Sequence, residues 1–260
     1  MVTADQLQSI MPRMTATRKA ECLPCLHAAM AEFAIDRPAR AAALLAQLAH
    51  ESGQFRFMEE IWGPTDAQKR YEPPGTLAAR LGNTEAGDGK RFKGRGPIQI
   101  TGRANYARFG ALLGIDLVSD PARAAAPAVA FRIAGLFWSK KGLNELADIA
   151  TDEAFKEITR RINGGFNGLD DRRRFYATAR TVLGVADPPV TRSRGGAKSL
   201  PLPIDEPVFE RGAEAIRSRT RRSPARKKTA SRARKTKATR PAKPGSRRTG
   251  ARPASSRRRR

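Results

Sequence analysis

The sequence predicts a mainly α-helical domain that contains a small β-hairpin or loop region and is followed by a basic tail. Three observations predict this class. Apolar residues recur at helical spacing between capping signals over roughly the first 185 residues. Glycines and prolines concentrate in residues 63–101, which leaves little room for long helices there. Strands and helices do not alternate along the chain, so a parallel sheet is not expected.

The positive charge of the 260-residue chain is concentrated at its end. Residues 191–260 contain 24 of the 50 lysines and arginines but only 4 of the 25 acidic residues, which leaves 26 basic and 21 acidic residues in 1–190. Residues 218–260 include no Leu, Ile, Val, Phe, Tyr, Trp or Met. A segment that buries nothing does not offset a backbone ordering cost of about 1–2 kcal/mol per residue. We therefore expect a domain over 1–185, a linker over 186–217 and a disordered Lys/Arg-rich tail over 218–260.

Other features of the sequence exclude several classes of protein. Cys22 and Cys25 have no second cysteine pair, and His27 and His50 are the only histidines, so no zinc pattern is present. We expect neither a metal nor a cofactor. The first residues show no basic segment followed by an apolar one, so no secretory signal is expected. The longest apolar runs, such as residues 41–46, are too short to span a bilayer.

A capping signal predicts where the first helix begins. Residues 3–6, Thr-Ala-Asp-Gln, have the form of a capping box, and Pro12 ends the short helix that follows. The second helix is predicted over about residues 15–33.

The third helix carries the first candidate for chemistry. Asp36 is predicted to cap it, Pro38 is tolerated in its first turn, and Gly53 is a natural stop. Its apolar stripe is formed by Leu44, Leu45 and Leu48.

Residues 98–101, Ile-Gln-Ile-Thr, are the only convincing β signal in the loop region. In a strand, Ile98 and Ile100 point to one face, so the segment is predicted to belong to a small hairpin or loop edge. Gln99 and Thr101 would then lie on the other face of that strand.

The helical pattern resumes after Gly102. Helices are predicted over about residues 105–113 and 121–141, then from the cap Thr151 to Gly164-Gly165, and last over about 170–183. The total is six or seven helices around the Gly/Pro-rich loop region.

Two glutamates near the end of the third helix suit acid–base chemistry. Glu51 follows a run of Ala and Leu, where partial desolvation raises the pKa of a carboxyl group and keeps it protonated. Glu59 and Glu60 follow in a wetter loop, where an ionised carboxylate can activate water. Such a pair is what inverting glycoside hydrolysis requires. By spacing alone, solvated surface charges account for these glutamates equally well.

Five blocks of the sequence, in order, carry a more specific signal. They are His50-Glu51-Ser52-Gly53 with Glu60, Gly94-Arg95-Gly96-Pro97-Ile98-Gln99-Ile100-Thr101, Asn105-Tyr106, Ile162-Asn163-Gly164-Gly165, and Asp171-Arg172 with Phe175-Tyr176. Together they resemble glycoside hydrolase family 19, the family of plant-type chitinases and many phage endolysins. The resemblance covers roughly residues 3–184 and implies a lysozyme-like helical fold. The preceding Gly-Asp-Gly-Lys-Arg-Phe and the absence of plant-type disulfide cysteines are more similar to the endolysin branch.

The resemblance implies a catalytic pair. Glu51 matches the general acid and Glu60 the base, with Glu59 as a rival because the following loop departs from the Asn-rich form common in the family. Thr101 matches a hydroxyl residue that holds the attacking water.

The resemblance also implies the residues around this pair. Arg172 matches a basic residue that pairs with the catalytic carboxylates, with Arg173 as its nearest competitor, and His50 would orient a carboxylate. The positions expected to hydrogen-bond N-acetyl sugars are Gln99, Asn105, Tyr106 and Asn163. Each has a structural alternative: Asn163 before two glycines also suits a helix C-cap, and Arg172 also suits a solvated helix surface.

The expected activity is hydrolysis of β-1,4 bonds next to N-acetylglucosamine, with peptidoglycan as substrate and chitin as the alternative. We expect a monomer held in a host cytoplasm until it is released to the cell wall. The tail lacks aromatic residues for base stacking, but it suits an anionic envelope or, through phosphate neutralisation, nucleic acid. A nucleic-acid-binding protein that uses the tail is the alternative from another class.

Overall fold

The computed structural model describes residues 1–186, and the predicted linker and tail lie outside them apart from residue 186. This part is mainly helical, as predicted, with eleven α-helices and one 3-10 turn at Pro121–Ala125. The α-helices are α1 Ala4–Ile10, α2 Ala16–Glu32, α3 Pro38–Glu51, α4 Asp66–Lys69, α5 Thr76–Arg80, α6 Asp88–Arg91, α7 Arg103–Leu113, α8 Pro127–Lys140, α9 Leu143–Ile149, α10 Asp152–Asn163 and α11 Leu169–Leu183. None of the helices in residues 1–186 is long and apolar enough to cross a membrane.

The predicted capping box of α1 is confirmed. The Thr3 hydroxyl accepts a hydrogen bond from the Gln6 backbone N–H at 3.2 Å, and the Gln6 side chain accepts one from the Thr3 N–H at 2.8 Å. The Thr15 hydroxyl likewise accepts from the Arg18 N–H and opens α2. Each cap satisfies backbone donors that the first helical turn leaves without partners.

Helix α3 is the centre of the domain. Ten of its fourteen residues are buried, and it packs against α11 and α9, while α2 packs against α8. The predicted cap is wrong here: Arg37 is the N-cap residue, without a side-chain bond, and Pro38 occupies the first turn. Asp36 instead pairs with Arg40 at 3.2 Å.

The helix predicted over residues 121–141 is divided. Residues Pro121–Ala125 form the 3-10 turn, and Pro127 begins α8 because its fixed φ suits a first helical position and its missing N–H is not needed there. After Gly142 the chain forms α9, which the sequence analysis did not predict.

The loop region holds the short helices α4 to α6 and two isolated β-bridges. Arg95 pairs with both Glu59 and Ile100 in antiparallel fashion. The predicted alternation of residues 98–101 is wrong because Gln99 has φ 55°, which breaks a strand. Ile98 and Thr101 are both buried, so this segment is a tight turn without a solvent face.

A close helix contact gives a test of the packing. A Cβ added at Gly135 in α8 would lie 2.3 Å from Phe33 Cδ2. Although Gly→Ala in a helix ordinarily stabilises by about 1 kcal/mol, we expect Gly135→Ala to lower the free energy of unfolding by about 1–3 kcal/mol because the packed core is overfilled. Chemical denaturation measures this. Ser139→Ala, at an exposed position of α8, is the control, and equal or higher stability of Gly135→Ala would contradict the packing.

Candidate active site

Glu51 lies at the last position of α3, where it is almost completely buried. Its partner comes from α11: the Arg172 guanidinium donates to Glu51 Oε1, and Arg172 itself is fully buried. The desolvation predicted for Glu51 is therefore present, but a positive charge opposes its effect by favouring the ionised carboxylate. The structure thus brings together two of the predicted site residues across the main helix packing of the domain.

Two residues that the sequence analysis missed hold Arg172 in place. Gln47, one turn before Glu51, accepts a second hydrogen bond from the guanidinium through Oε1 and donates through Nε2 to the Thr159 hydroxyl at 2.8 Å. The Asn167 carbonyl accepts from Arg172 Nε at 3.3 Å. Gln47 is the only polar residue in positions 41–49, and that isolated amide was the available signal.

Arg173, the competitor of Arg172, lies elsewhere. It pairs with Asp152 on the surface, where both side chains are exposed. Of the two adjacent arginines, Arg172 is therefore the one that contacts a predicted catalytic carboxylate.

Glu60 is buried in a different environment. Its Oε1 accepts from Gln68 Nε2 at 3.0 Å, and its Oε2 accepts from the Gly94 backbone N–H at 3.0 Å. Burial raises the pKa of Glu60 above its ordinary value, against the lowering effects of the Gly94 N–H, the Gln68 amide, Lys93 and a hydrogen bond with Tyr71. The carboxyl group is thus desolvated among neutral donors, with a lysine charge as a minor influence.

Glu59, the rival of Glu60, points to a different set of partners. Its half-exposed carboxylate pairs with Arg95 at 2.9 Å and Lys93 at 3.3 Å. Of the two neighbours, Glu60 has the secluded environment that tunes a carboxyl group for catalysis, while the half-exposed Glu59 forms ion pairs with the largely buried Arg95 and Lys93.

The tight turn at residues 94–101 approaches Glu60 closely. A Cβ added at Gly94 would lie 2.7 Å from Gln99 Oε1 and 3.3 Å from Glu60 Oε2, so only glycine fits between the two side chains. Gln99 Nε2 donates to the Gly96 carbonyl at 2.7 Å, but its buried Oε1 has no hydrogen-bond partner among residues 1–186. A buried acceptor of this kind is costly unless a ligand or water satisfies it. The Thr101 hydroxyl donates to the Gln99 carbonyl at 3.0 Å.

The other predicted sugar-binding residues have mixed positions. Asn105 is buried and donates to the Thr101 carbonyl at 2.8 Å. Tyr106 is fully buried, donates to the Lys93 carbonyl at 2.6 Å and accepts from Arg95 at 2.9 Å, so it supports the loop in this structure. Asn163 ends α10, and its Nδ2 donates to the Asn167 carbonyl at 3.1 Å. Its buried Oδ1 has no partner within the described part of the chain. Sugar contacts by these residues stay predictions.

His50 forms a close pair with Asp171, with 2.6 Å between Nδ1 and Oδ2. The His50 bond and the nearby Arg174 hold the pKa of Asp171 at about 2, below its ordinary value. Gly168, which opens α11, packs so closely on the imidazole that a Cβ would lie 2.2 Å from His50 Cε1. His50 therefore helps dock α11 onto the end of α3, next to the Glu51–Arg172 pair.

Two cavities of the domain lie away from these carboxylates. One of about 260 Å³ is lined by Val2, Met30, Pro38 and Ala41 among others. Ala41 precedes Glu51 by ten residues of α3, about 15 Å along the helix. In residues 1–186 no group of three or more His, Cys, Asp or Glu side chains is placed to hold a metal ion.

The buried ion pair gives a test of stability. Arg172→Leu leaves the Glu51 carboxylate buried without its counter-charge, so we expect a loss of about 3–5 kcal/mol in the free energy of unfolding near neutral pH. Arg173→Leu is the matched control, expected to cost at most about 1 kcal/mol because its pair is exposed. Urea denaturation of both variants measures the difference, and equal losses would contradict the buried pairing.

Asp171 gives a test by pH. A carboxyl group with a lowered folded-state pKa stabilises the fold above its unfolded pKa, and that stabilisation disappears as the pH falls through the folded value. We expect Asp171→Asn to be less stable than the unmodified chain at pH 5, with the difference shrinking between about pH 4 and 2. Thermal unfolding across this range measures it. A difference that is constant with pH would mean that the His50–Asp171 pair does not lower the Asp171 pKa.

Known proteins match this chain in both sequence and fold. The sequence model of the family described as chitinase class I, glycoside hydrolase family 19, matches residues 17–150, just over half of the chain. An Arabidopsis thaliana endochitinase is 43% identical over 125 residues, which are 48% of this chain and 39% of that protein, so the chain spans about two fifths of its length. A Haemophilus influenzae protein described as containing a glycosyl hydrolase family 19 domain is 35% identical over 158 residues, 52% of this chain and 76% of that protein.

Solved structures agree with the fold. The crystal structure of chitinase C from Streptomyces griseus superposes with a TM-score of 0.55 at 24% identity, over 70% of this chain and 76% of that one. The helical architecture predicted from the sequence is therefore that of these chitinases. By its sequence match over more than half of its length, the chain belongs to glycoside hydrolase family 19.

Proposed function

We propose that the chain hydrolyses β-1,4 bonds next to N-acetylglucosamine by inversion, with Glu51 as general acid and Glu60 as general base. The observation that carries the proposal is that two buried carboxyl groups of one family-19 domain have unlike surroundings. Glu51 contacts a guanidinium, and Glu60 lies among neutral donors. Divergent environments are what acid–base division of labour requires, and the assignment of the acid role to Glu51 and the base role to Glu60 rests on the matched sequence blocks.

Glu51 is proposed to release its proton to the leaving glycosidic oxygen. Arg172 contacts the carboxyl oxygen directly, so it stabilises the carboxylate as that proton leaves. Gln47 holds the guanidinium on its other side and adds no charge of its own.

Glu60 is proposed to take a proton from the attacking water. A carboxylate offers about four lone-pair sites, and the bonds from Gln68, Gly94 and Tyr71 leave capacity for a further donor. Gln99 Oε1 lies close to Glu60 and lacks a donor in residues 1–186, so a water between them would satisfy both oxygens. Thr101 supports this arrangement by fixing the Gln99 backbone.

Peptidoglycan is the proposed substrate, and chitin is the second candidate. The basic residues of 191–260 favour an anionic bacterial envelope, since long-range attraction raises the local concentration of enzyme at such a surface. The names of the relatives favour chitin, because the Arabidopsis proteins are called endochitinases and the Streptomyces protein a chitinase. Both polymers present N-acetyl sugars to the same residues.

The site of action is proposed to be a bacterial cell wall, reached from a host cytoplasm, with the chain working as a monomer. In this proposal the tail holds the enzyme at the envelope. Binding of the tail to nucleic acid through phosphate contacts is the alternative, and it would be independent of the carboxylates.

The carboxylates give the direct test of the activity. We expect Glu51→Gln and Glu60→Gln to lower the rate of reducing-end release by about 10²–10⁴-fold, because each removes a group that transfers a proton. Glu59→Gln is the matched control and should retain most activity, since the half-exposed Glu59 carboxylate is held in ion pairs with Arg95 and Lys93. Activity that survives Glu51→Gln or Glu60→Gln in a folded protein would remove that residue from the mechanism.

The same assay discriminates the substrates. Purified peptidoglycan and chitin are each incubated with the unmodified chain and the Glu51→Gln variant, followed by mass analysis of the fragments. Cleavage of peptidoglycan that depends on Glu51 supports the first candidate, and cleavage of chitin alone supports the second.

A further inference from the structure

Gln68 is a fully buried residue whose side chain reaches four partners at once. Its Nε2 donates to Glu60 Oε1 at 3.0 Å and to the Ile61 carbonyl at 2.9 Å. Its Oε1 accepts from the Thr65 N–H at 2.8 Å and, more weakly, from the Gly63 N–H at 3.4 Å. A glutamine amide has two donors and one carbonyl with two lone pairs, so its full capacity is used.

We propose that Gln68 is a positioning residue for Glu60, which ties the carboxylate to the loop of residues 61–65 and keeps it in one orientation. The proposal rests on the role of Glu60 in the proposed function. Glu60 Oε1 is held by Gln68 and Oε2 by the Gly94 N–H, so the two donors together restrict rotation of the carboxylate. Rotation matters because a base must face the proton that it removes.

Helix capping alone does not explain this arrangement. The α1 helix begins with the same capping box, Thr3 and Gln6, with the same 2.8 Å and 3.2 Å bonds as Thr65 and Gln68. There the amide of the glutamine donates to the Val182 carbonyl at 3.2 Å. The contact with a buried carboxylate is therefore an addition that the cap itself does not require.

The lack of charge on the Gln68 side chain matters for the protonation of Glu60. An arginine or lysine in its place would hold the carboxylate in the ionised form. An amide donates a hydrogen bond with only a modest effect on protonation, so Glu60 keeps the basicity that burial gives it.

The experiment compares Gln68→Met with the matched control Gln6→Met in the full chain. Both variants remove a capping glutamine, but only the first removes the donor to Glu60. We expect Gln68→Met to lower kcat about 10- to 100-fold, as misplaced catalytic groups do, with KM little changed. The acidic limb of the kcat/KM profile should move to higher pH, because a lost donor makes the Glu60 carboxylate harder to ionise. Gln6→Met should leave the profile unchanged.

A second variant covers the case in which Gln68→Met fails to fold. Gln68→Glu keeps an acceptor for the Thr65 N–H, since glutamate is equally suited to a capping box, but it replaces the donor to Glu60 by a second carboxylate. Gln68→Glu should therefore also move the acidic limb of the kcat/KM profile to higher pH. The proposal would be overturned by a folded Gln68 variant in which kcat and the acidic limb of the kcat/KM profile are unchanged. It would also be overturned if Gln6→Met moved that limb as far as the Gln68 variants do.

Carbon-13 titration of the glutamate carboxyl groups separates this inference from the proposed function. The Glu60 signal is assigned by its absence in Glu60→Gln. If Glu60→Gln retains activity but Gln68→Met still shifts the Glu60 titration, the proposed base is wrong and Gln68 nevertheless holds the carboxylate. If Glu60→Gln is inactive and no Gln68 variant shifts the titration, the base stands and the positioning role is wrong.

Discussion

The buried contact between Glu51 and Arg172 is the constraint on which the rest of the domain depends. Removing two charges from water costs several kcal/mol per ion, and only good geometry and further hydrogen bonds compensate for it. Gln47 and the Asn167 carbonyl supply those bonds. Because the two charges come from α3 and α11, these helices must pack in one register, and His50 with Asp171 fixes the same contact at its edge. The geometry of the proposed catalytic site and the packing of the core are thus one requirement.

The two carboxyl groups are both buried, but their surroundings favour opposite protonation states. Glu51 is next to a full positive charge, which favours loss of its proton, whereas Glu60 is desolvated among neutral donors, which favours retention. Of the two, Glu60 is thus the carboxyl group whose pKa is raised by burial. In the proposed mechanism, division of labour between them depends on the bound sugar, which would exclude water near Glu51 and bring its leaving oxygen to that carboxyl group.

The sequence predicted the parts of the fold that depend on local chemistry. Thr3 and Thr151 cap helices as expected because a cap needs only neighbours three residues away. The prediction for Asp36 was wrong because the helix begins one residue later, at the N-cap Arg37, and the Asp36 carboxylate pairs with Arg40. The prediction of a strand around Gln99 was wrong because this residue has a left-handed backbone conformation. The Gln99 side chain bonds to distant backbone, such as the Phe57 carbonyl. The alternation of apolar and polar residues in the sequence reveals neither feature.

Only some residues of the candidate site were likewise found from the sequence, and the two glutamines that were missed show why. Glu51 and Arg172 were predicted through resemblance, but Gln47 was missed because its partners lie 112 and 125 residues away. Gln68 was missed because, in sequence, it is only the end of a capping box. The Gln47 amide accepts from the Arg172 guanidinium, and the Gln68 amide donates to the Glu60 carboxylate. Glutamine suits both positions because its amide carries both an acceptor and a donor. A charged residue at either place would alter the protonation of the neighbouring carboxyl group. Neutral amides therefore let the domain fix the positions of both carboxyl groups while burial and Arg172 set their acidity.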